Sequence, residues 1–150
     1  MTHEIAFTEP APAPVPMERI YELEAALKKM DGQIPRDEVT FHHFCKGLYC
    51  REYFMAAGTV AVGLKHAKES FFLLVKGAAS FTTADGTAVT VTAPYMAVTQ
   101  PGSKRAVYAI EDSIFLTFHP NPDDSQDMEV LEQRFIIPEA LPAPERELIE

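Results

Sequence analysis

A chain of 150 residues, 47% hydrophobic and 23% charged, is long enough for one domain with its own core, and its balance excludes a largely disordered protein. The formal net charge of −9 argues against nucleic acid as a partner, because binding a phosphate backbone depends on Lys and Arg displacing counterions. The first ten residues lack a basic stretch followed by an apolar run, and no window nears the roughly 18 apolar residues of a membrane span, so a soluble protein made in a cytoplasm is expected, with no membrane partner.

Residues 1–16 end in alternating prolines, which remove backbone donors and favour extended structure, so this segment reads as an N-terminal arm. Met17 to about Asp31 reads as a helix, with Ile20, Leu23, Leu27 and Met30 on one stripe and Gly32 as its stop; it is expected to cover one opening of a barrel or to meet another subunit. From about residue 38 to 120 the pattern turns to short β-rich runs divided by Gly and Pro, the signature of a sandwich or barrel. Asp85-Gly86 marks a tight hairpin, and Ala93-Pro94 and Pro101-Gly102 mark two further turns. Cys45 and Cys50 are placed on one strand with their side chains on opposite faces, hence as free thiols. Tyr49, Tyr53, Phe71, Phe72, Phe81 and Phe118 read as core aromatics. Residues 121–150 form a C-terminal extension with a polar loop, then a short helix or outer strand over Met128–Ile136, then a second proline-spaced, acidic arm.

The stretch from Gly58 to Gly77 reads Gly-x5-Leu64-x-His66-x3-Ser70-x6-Gly. That spacing resembles the first motif of the cupin superfamily, in which the positions of Leu64, His66 and Ser70 hold His, His and Glu. The second cupin motif is approached by Gln100-Pro101-Gly102-Ser103-Lys104-Arg105, with Arg105 where a ligand His is expected and Ala109 where an Asn is expected. The resemblance implies a mainly β fold, a single cupin-type double-sheet (jelly-roll) β-barrel with one N-terminal helix and extended terminal arms. It also implies that three of four metal ligands have been replaced, leaving His66, so no cofactor is expected. The runs His42–Gly77 and Thr92–His119 further resemble small cupin-like proteins encoded by tailed phages and prophages, whose extra histidines after the position of His66 are here Lys68 and Ser70.

Two readings of the site stay open. Arg105, with Lys104, His66 and Ser70, has the donors to hold a carboxylate or phosphate, unless Arg105 is paired internally with an acid such as Glu69 or Glu111. Alternatively a shifted divalent-metal site draws on His66, Glu69 and His119, with His42 or His43 as a further nitrogen. The leading expectation for function is a non-enzymatic structural or interaction protein, a phage virion component made in the host cytoplasm, whose arms contact other virion proteins and which forms a homo-oligomer. The alternatives are a metal-dependent isomerase or dioxygenase acting on a small polar molecule, and a small-anion-binding barrel using Arg105.

Overall fold

The computed structural model describes residues 14–83 and 85–139. Helix α1 (Met17–Lys28) and the single turn α2 (Arg36–Val39) precede β1 (Thr40–Cys45), β2 (Gly47–Met55), β3 (Val60–Val62), β4 (Ser70–Lys76), β5 (Ala78–Thr82), β6 (Ala88–Thr92), β7 (Tyr95–Thr99), β8 (Ala106–Ala109) and β9 (Ser113–Asn121), and helix α3 (Met128–Phe135) follows. The strands form two antiparallel sheets, ordered β1-β2-β9-β4-β7 and β3-β8-β5-β6. The two-sheet barrel expected from the sequence is therefore present.

Strand alternation decides which residues meet between the sheets. Met55, Phe72, Leu74, Phe81 and Phe115 form the main buried cluster, with Phe72 stacked on Phe115 at 5.3 Å and edge-on to Phe81 at 5.2 Å. Phe71 and Phe118 correct the sequence reading: they occupy the opposite face of their strands, paired in register, and Phe71 is 50% exposed. The cysteines correct it too, since they lie on the two strands of a β1–β2 hairpin rather than on one strand. Gly47 makes that turn at φ +79, a conformation that L side chains adopt only under strain. Both thiols are free.

The C-terminal extension is built into the body. Asp127 caps α3 by accepting from the amides of Glu129 and Val130, and the helix buries Leu131 and Phe135 against Tyr49. Beyond it the chain runs antiparallel to residues 65–67: the Ala67 amide donates to the Phe135 carbonyl at 2.7 Å and the Ile137 amide to the Lys65 carbonyl at 2.8 Å. Helix α1 buries Ile20 and lies on the side of β3, while the end of α3 stands at the barrel mouth. Pro14–Pro16 lead into α1 past the β5–β6 turn, where the Val15 amide donates to the Gly86 carbonyl. The remainder of both arms, residues 1–13 and 140–150, lies outside the described residues.

Gly77, between β4 and β5, has φ +90 and no room for a side chain: an added Cβ would collide with Asp112 O and Ser113 Oγ and lie 2.9 Å from Ser113 Cα. Gly77→Ala should therefore cost roughly 2–4 kcal/mol, the sum of left-handed strain and backbone overlap. Urea unfolding checks this, with Gly32→Ala, strained in φ but in open space, expected to cost less.

Candidate functional site

The barrel encloses a cavity of ≈ 280 Å³ that opens at one end. Strands of the larger sheet contribute Arg51, Tyr53, Phe72, Phe115, Thr117 and His119; the smaller sheet contributes Ala61, Val62 and Val107; and the segment after β3 contributes Leu64 and His66. Ile34, Arg36, Phe135 and Ile136 stand at the mouth. By the share of liquid volume that one water takes, this is space for about nine waters or a small molecule with one ring. A larger groove of ≈ 480 Å³ runs between the end of α1 and strands β2 and β3, but neither His nor Arg lines it.

Arg105 enters the cavity from the end of the turn before β8, held there by the Gly63 amide, which donates to its carbonyl at 2.8 Å. Its guanidinium lies 4.0 Å from the centre of the Phe72 ring, and Nη1 donates to Thr99 Oγ1 at 2.9 Å. Nε is buried without a partner, and among the described residues no carboxylate pairs with the side chain. The internal pair with Glu69 or Glu111 is absent, because both acids are exposed outside the cavity. Burial pulls the Arg105 pKa down to about 10, which leaves it cationic at neutral pH.

His66 and His119 stack nearly parallel with ring centres 6.3 Å apart, and Phe135 covers His119 at 4.3 Å. Burial lowers both imidazoles to about 4, helped at His66 by the positive charge of Arg105 and at His119 by the neighbouring His66. Both are therefore neutral at physiological pH. His119 Nε2 shares a hydrogen bond with Thr117 Oγ1 at 3.0 Å, whereas His66 Nδ1 is buried with no partner. Arg51 completes the charged lining: its Nε donates to the Tyr49 hydroxyl at 2.9 Å and its Nη2 to Glu132 at 3.1 Å, and Arg36 pairs with the same carboxylate.

The structure thus brings His66, His119 and Arg105 into one cavity and leaves the other sequence candidates out of it. Lys104 points away from Arg105. Burial opposes its charge, but its ammonium hydrogen-bonds Glu139 at 2.7 Å and Glu24 at 2.9 Å, which holds its pKa up and spends it on tying α1 to the segment after α3. Ser70 is buried with an unpartnered hydroxyl but does not line the cavity. Glu69 is exposed beside Ser70 at the start of β4, on the residue whose side the alternation turns outward. His42 is bound to the Tyr49 hydroxyl at 2.6 Å and His43 to Glu52 at 3.1 Å, neither at the cavity. The shifted metal set of His66, Glu69 and His119 is accordingly not assembled, and no group of three or more His, Cys, Asp or Glu side chains converges among the described residues. Two neutral imidazoles beside a guanidinium, with no carboxylate, do not fit the donor set of a cupin metal centre.

Arg51, Thr117 and Phe135 were not assigned to the site from sequence, and Tyr53 was read only as a core aromatic. Period-two alternation in β2 and β9 carried the signal for Arg51, Tyr53 and Thr117, since Tyr49, Arg51, Tyr53 and Met55 share a face, as do Phe115, Thr117 and His119.

No protein-family model matches the chain, and no curated protein is similar to it in sequence. Solved structures are similar in fold. Salicylate 1,2-dioxygenase from Pseudaminobacter salicylatoxidans superposes with a TM-score of 0.53 and 16% identity over 79% of this chain and 35% of its own. The same enzyme with gentisate gives 0.53 and 15% over 79% and 34%. A cupin superfamily protein from Desulfitobacterium hafniense is similar more loosely, at a TM-score of 0.48 and 11% identity over 59% of this chain and 82% of its own. The chain thus spans about a third of the length of the dioxygenase, and the likeness speaks to fold alone: a cupin-type double-sheet barrel.

Two outcomes follow from the buried groups. Because both histidines titrate lower in the folded chain than the ordinary 6.5, the unfolded chain takes up their protons first as pH falls. Stability is then full above about pH 6.5 and is lost towards pH 4, by up to about 2 kcal/mol per imidazole at pH 5; urea midpoints across that range should show a loss that His66→Gln reduces. Lys104→Ala should cost roughly 2–4 kcal/mol, since it strands two partly buried carboxylates, and Glu24→Gln should cost less.

Proposed function

We propose that this chain binds a small organic anion inside its barrel, with the anionic group at Arg105. The observation that carries the reading is the charge of the lining: three arginines, two histidines and, among the described residues, no Asp or Glu, in a chain whose formal net charge is −9. Glu132 can offset one of the two arginines it meets, which leaves the cavity positive. A guanidinium desolvated without a counter-charge is costly, and an entering carboxylate or phosphate removes that cost with charge-assisted hydrogen bonds. Phe72, Phe115, Tyr53 and Phe135 give the rest of the ligand an apolar surround. His66 Nδ1 adds a polar contact that the protein itself leaves unmade. The dioxygenase of similar fold is named for salicylate, a carboxylate on one ring, but at 16% identity the cavity and not the neighbour supports the choice of ligand class.

A thermal-shift series at pH 7.5 with benzoate, salicylate, succinate and inorganic phosphate tests this. A ligand present at a hundred times its Kd adds about 2.7 kcal/mol, so at least one of these acids should raise Tm by several degrees, and Arg105→Ala should remove the rise. No shift with any of them, or a shift that survives Arg105→Ala, would reject the proposal. Elemental mass spectrometry on protein purified without chelator addresses the metal-dependent isomerase or dioxygenase: near-stoichiometric metal lost in His66→Ala would favour that enzyme instead.

A second reading, a structural or interaction body such as a phage virion component, draws on the apolar outer face of the larger sheet, where Phe71, Met96 and Val98 are exposed. Recovery of the chain from purified particles at a copy number matching capsid or tail symmetry would favour it.

A further inference from the structure

An antiparallel sheet with one face on the core ordinarily turns a polar face to water. The larger sheet does the reverse. Register places Val98, Phe71 and Phe118 in one row across β7, β4 and β9, and Met96, Leu73 and Leu116 in the next, all on the face away from the barrel interior. Phe71, Met96 and Val98 are 50%, 62% and 42% exposed. Both rows continue onto β2 and β1, one through Cys50 and His43 and the other through Glu52 and Phe41, where His43 and Glu52 are 3.1 Å apart; Glu69 and Lys76 stand at the two ends of β4, outside these rows. Five strands about 4.8 Å apart and some six residues long cover about 500 Å² in plan, at the upper end of the apolar patches that monomers expose. With side-chain relief and a rim, this approaches the roughly 800 Å² per partner of a standard interface.

We infer that this face is the contact between two copies of the chain, packed sheet on sheet about a two-fold axis. A face whose two central rows hold one carboxylate, Glu52 beside His43, matches a copy of itself with few like charges opposed, although the chains repel overall, and twisted sheets pack face to face with their strands about 30° apart. A membrane surface fits poorly, because the two rows hold no Lys or Arg to meet anionic lipid. The inference is independent of any ligand in the barrel, since these side chains are on the other face of the sheet.

Sedimentation velocity at micromolar concentration should give the mass of two chains. Met96→Glu and Val98→Glu, at exposed positions that leave the core untouched, should each weaken association at least about a hundredfold, as burying an unpaired carboxylate twice in a symmetric interface costs more than the 2.7 kcal/mol this represents. Far-UV circular dichroism and urea midpoints at dilutions where both proteins are single chains should match wild type, and Tyr108→Glu on the smaller sheet should leave the dimer intact. A wild-type chain that stays single, a dimer that survives both variants, loss of the dimer in Tyr108→Glu, or co-sedimentation of single chains with phosphatidylserine vesicles would each overturn the inference.

Discussion

The nine-residue ladder between β2 and β9, running from Gly47 opposite Asn121 to Met55 opposite Ser113, sets the two faces of the larger sheet. Side chains alternate along a strand with a period of two, so this register alone decides that Arg51, Tyr53, Phe115, Thr117 and His119 line the cavity while Leu116 and Phe118 face outward. A slip of one residue in either strand would turn its cavity residues to the outside and its outer apolar residues into the barrel. The β1–β2 hairpin guards one side of that pairing through the glycine turn at Gly47, and β4 holds the other through its own run against β9. The cavity and the apolar outer face are two results of one constraint.

Within that frame the cavity is poorly compensated. A domain that maximised stability would give the Arg105 guanidinium a carboxylate, or replace it with an apolar side chain, because a lone buried charge is costly. Here Arg105 has a hydroxyl, a ring face and an unpartnered Nε, and His66 Nδ1 and Ser70 Oγ are likewise unmatched. Buried polar groups left without a protein partner are rare in folded proteins. The two histidines stay neutral beside the guanidinium, so they accept or donate single hydrogen bonds without adding charge.

Much of the architecture could be read from the chain. Glycine and proline spacing marked the short strands, and the frame from Gly58 to Gly77 drew attention to His66, which lines the cavity, even though its neighbouring ligand positions are Leu64 and Ser70. Local pattern failed where distant segments decide the environment. Lys104 and Arg105 are adjacent, yet one is taken by Glu24 and Glu139 from opposite ends of the chain and the other is walled in by Phe72. Phe71 and Phe72 look equivalent in sequence, and only their pairing with Phe118 and Thr117 tells the outer from the inner. The helix at the mouth is α3 rather than α1 because Tyr49 gives Leu131 and Phe135 a buried seat, whereas α1 inserts only Ile20.

The Lys104 ammonium couples two remote segments in a way that bears on local opening. Its side chain is 1% exposed, and its compensation comes from one carboxylate on α1 and another after α3, with Tyr21 also hydrogen-bonded to Glu139. Peeling away either segment admits water to the ammonium and weakens the hold on the other. The two should therefore behave as a single cooperative unit, their backbone amides exchanging with solvent at a shared free energy below that of the barrel strands.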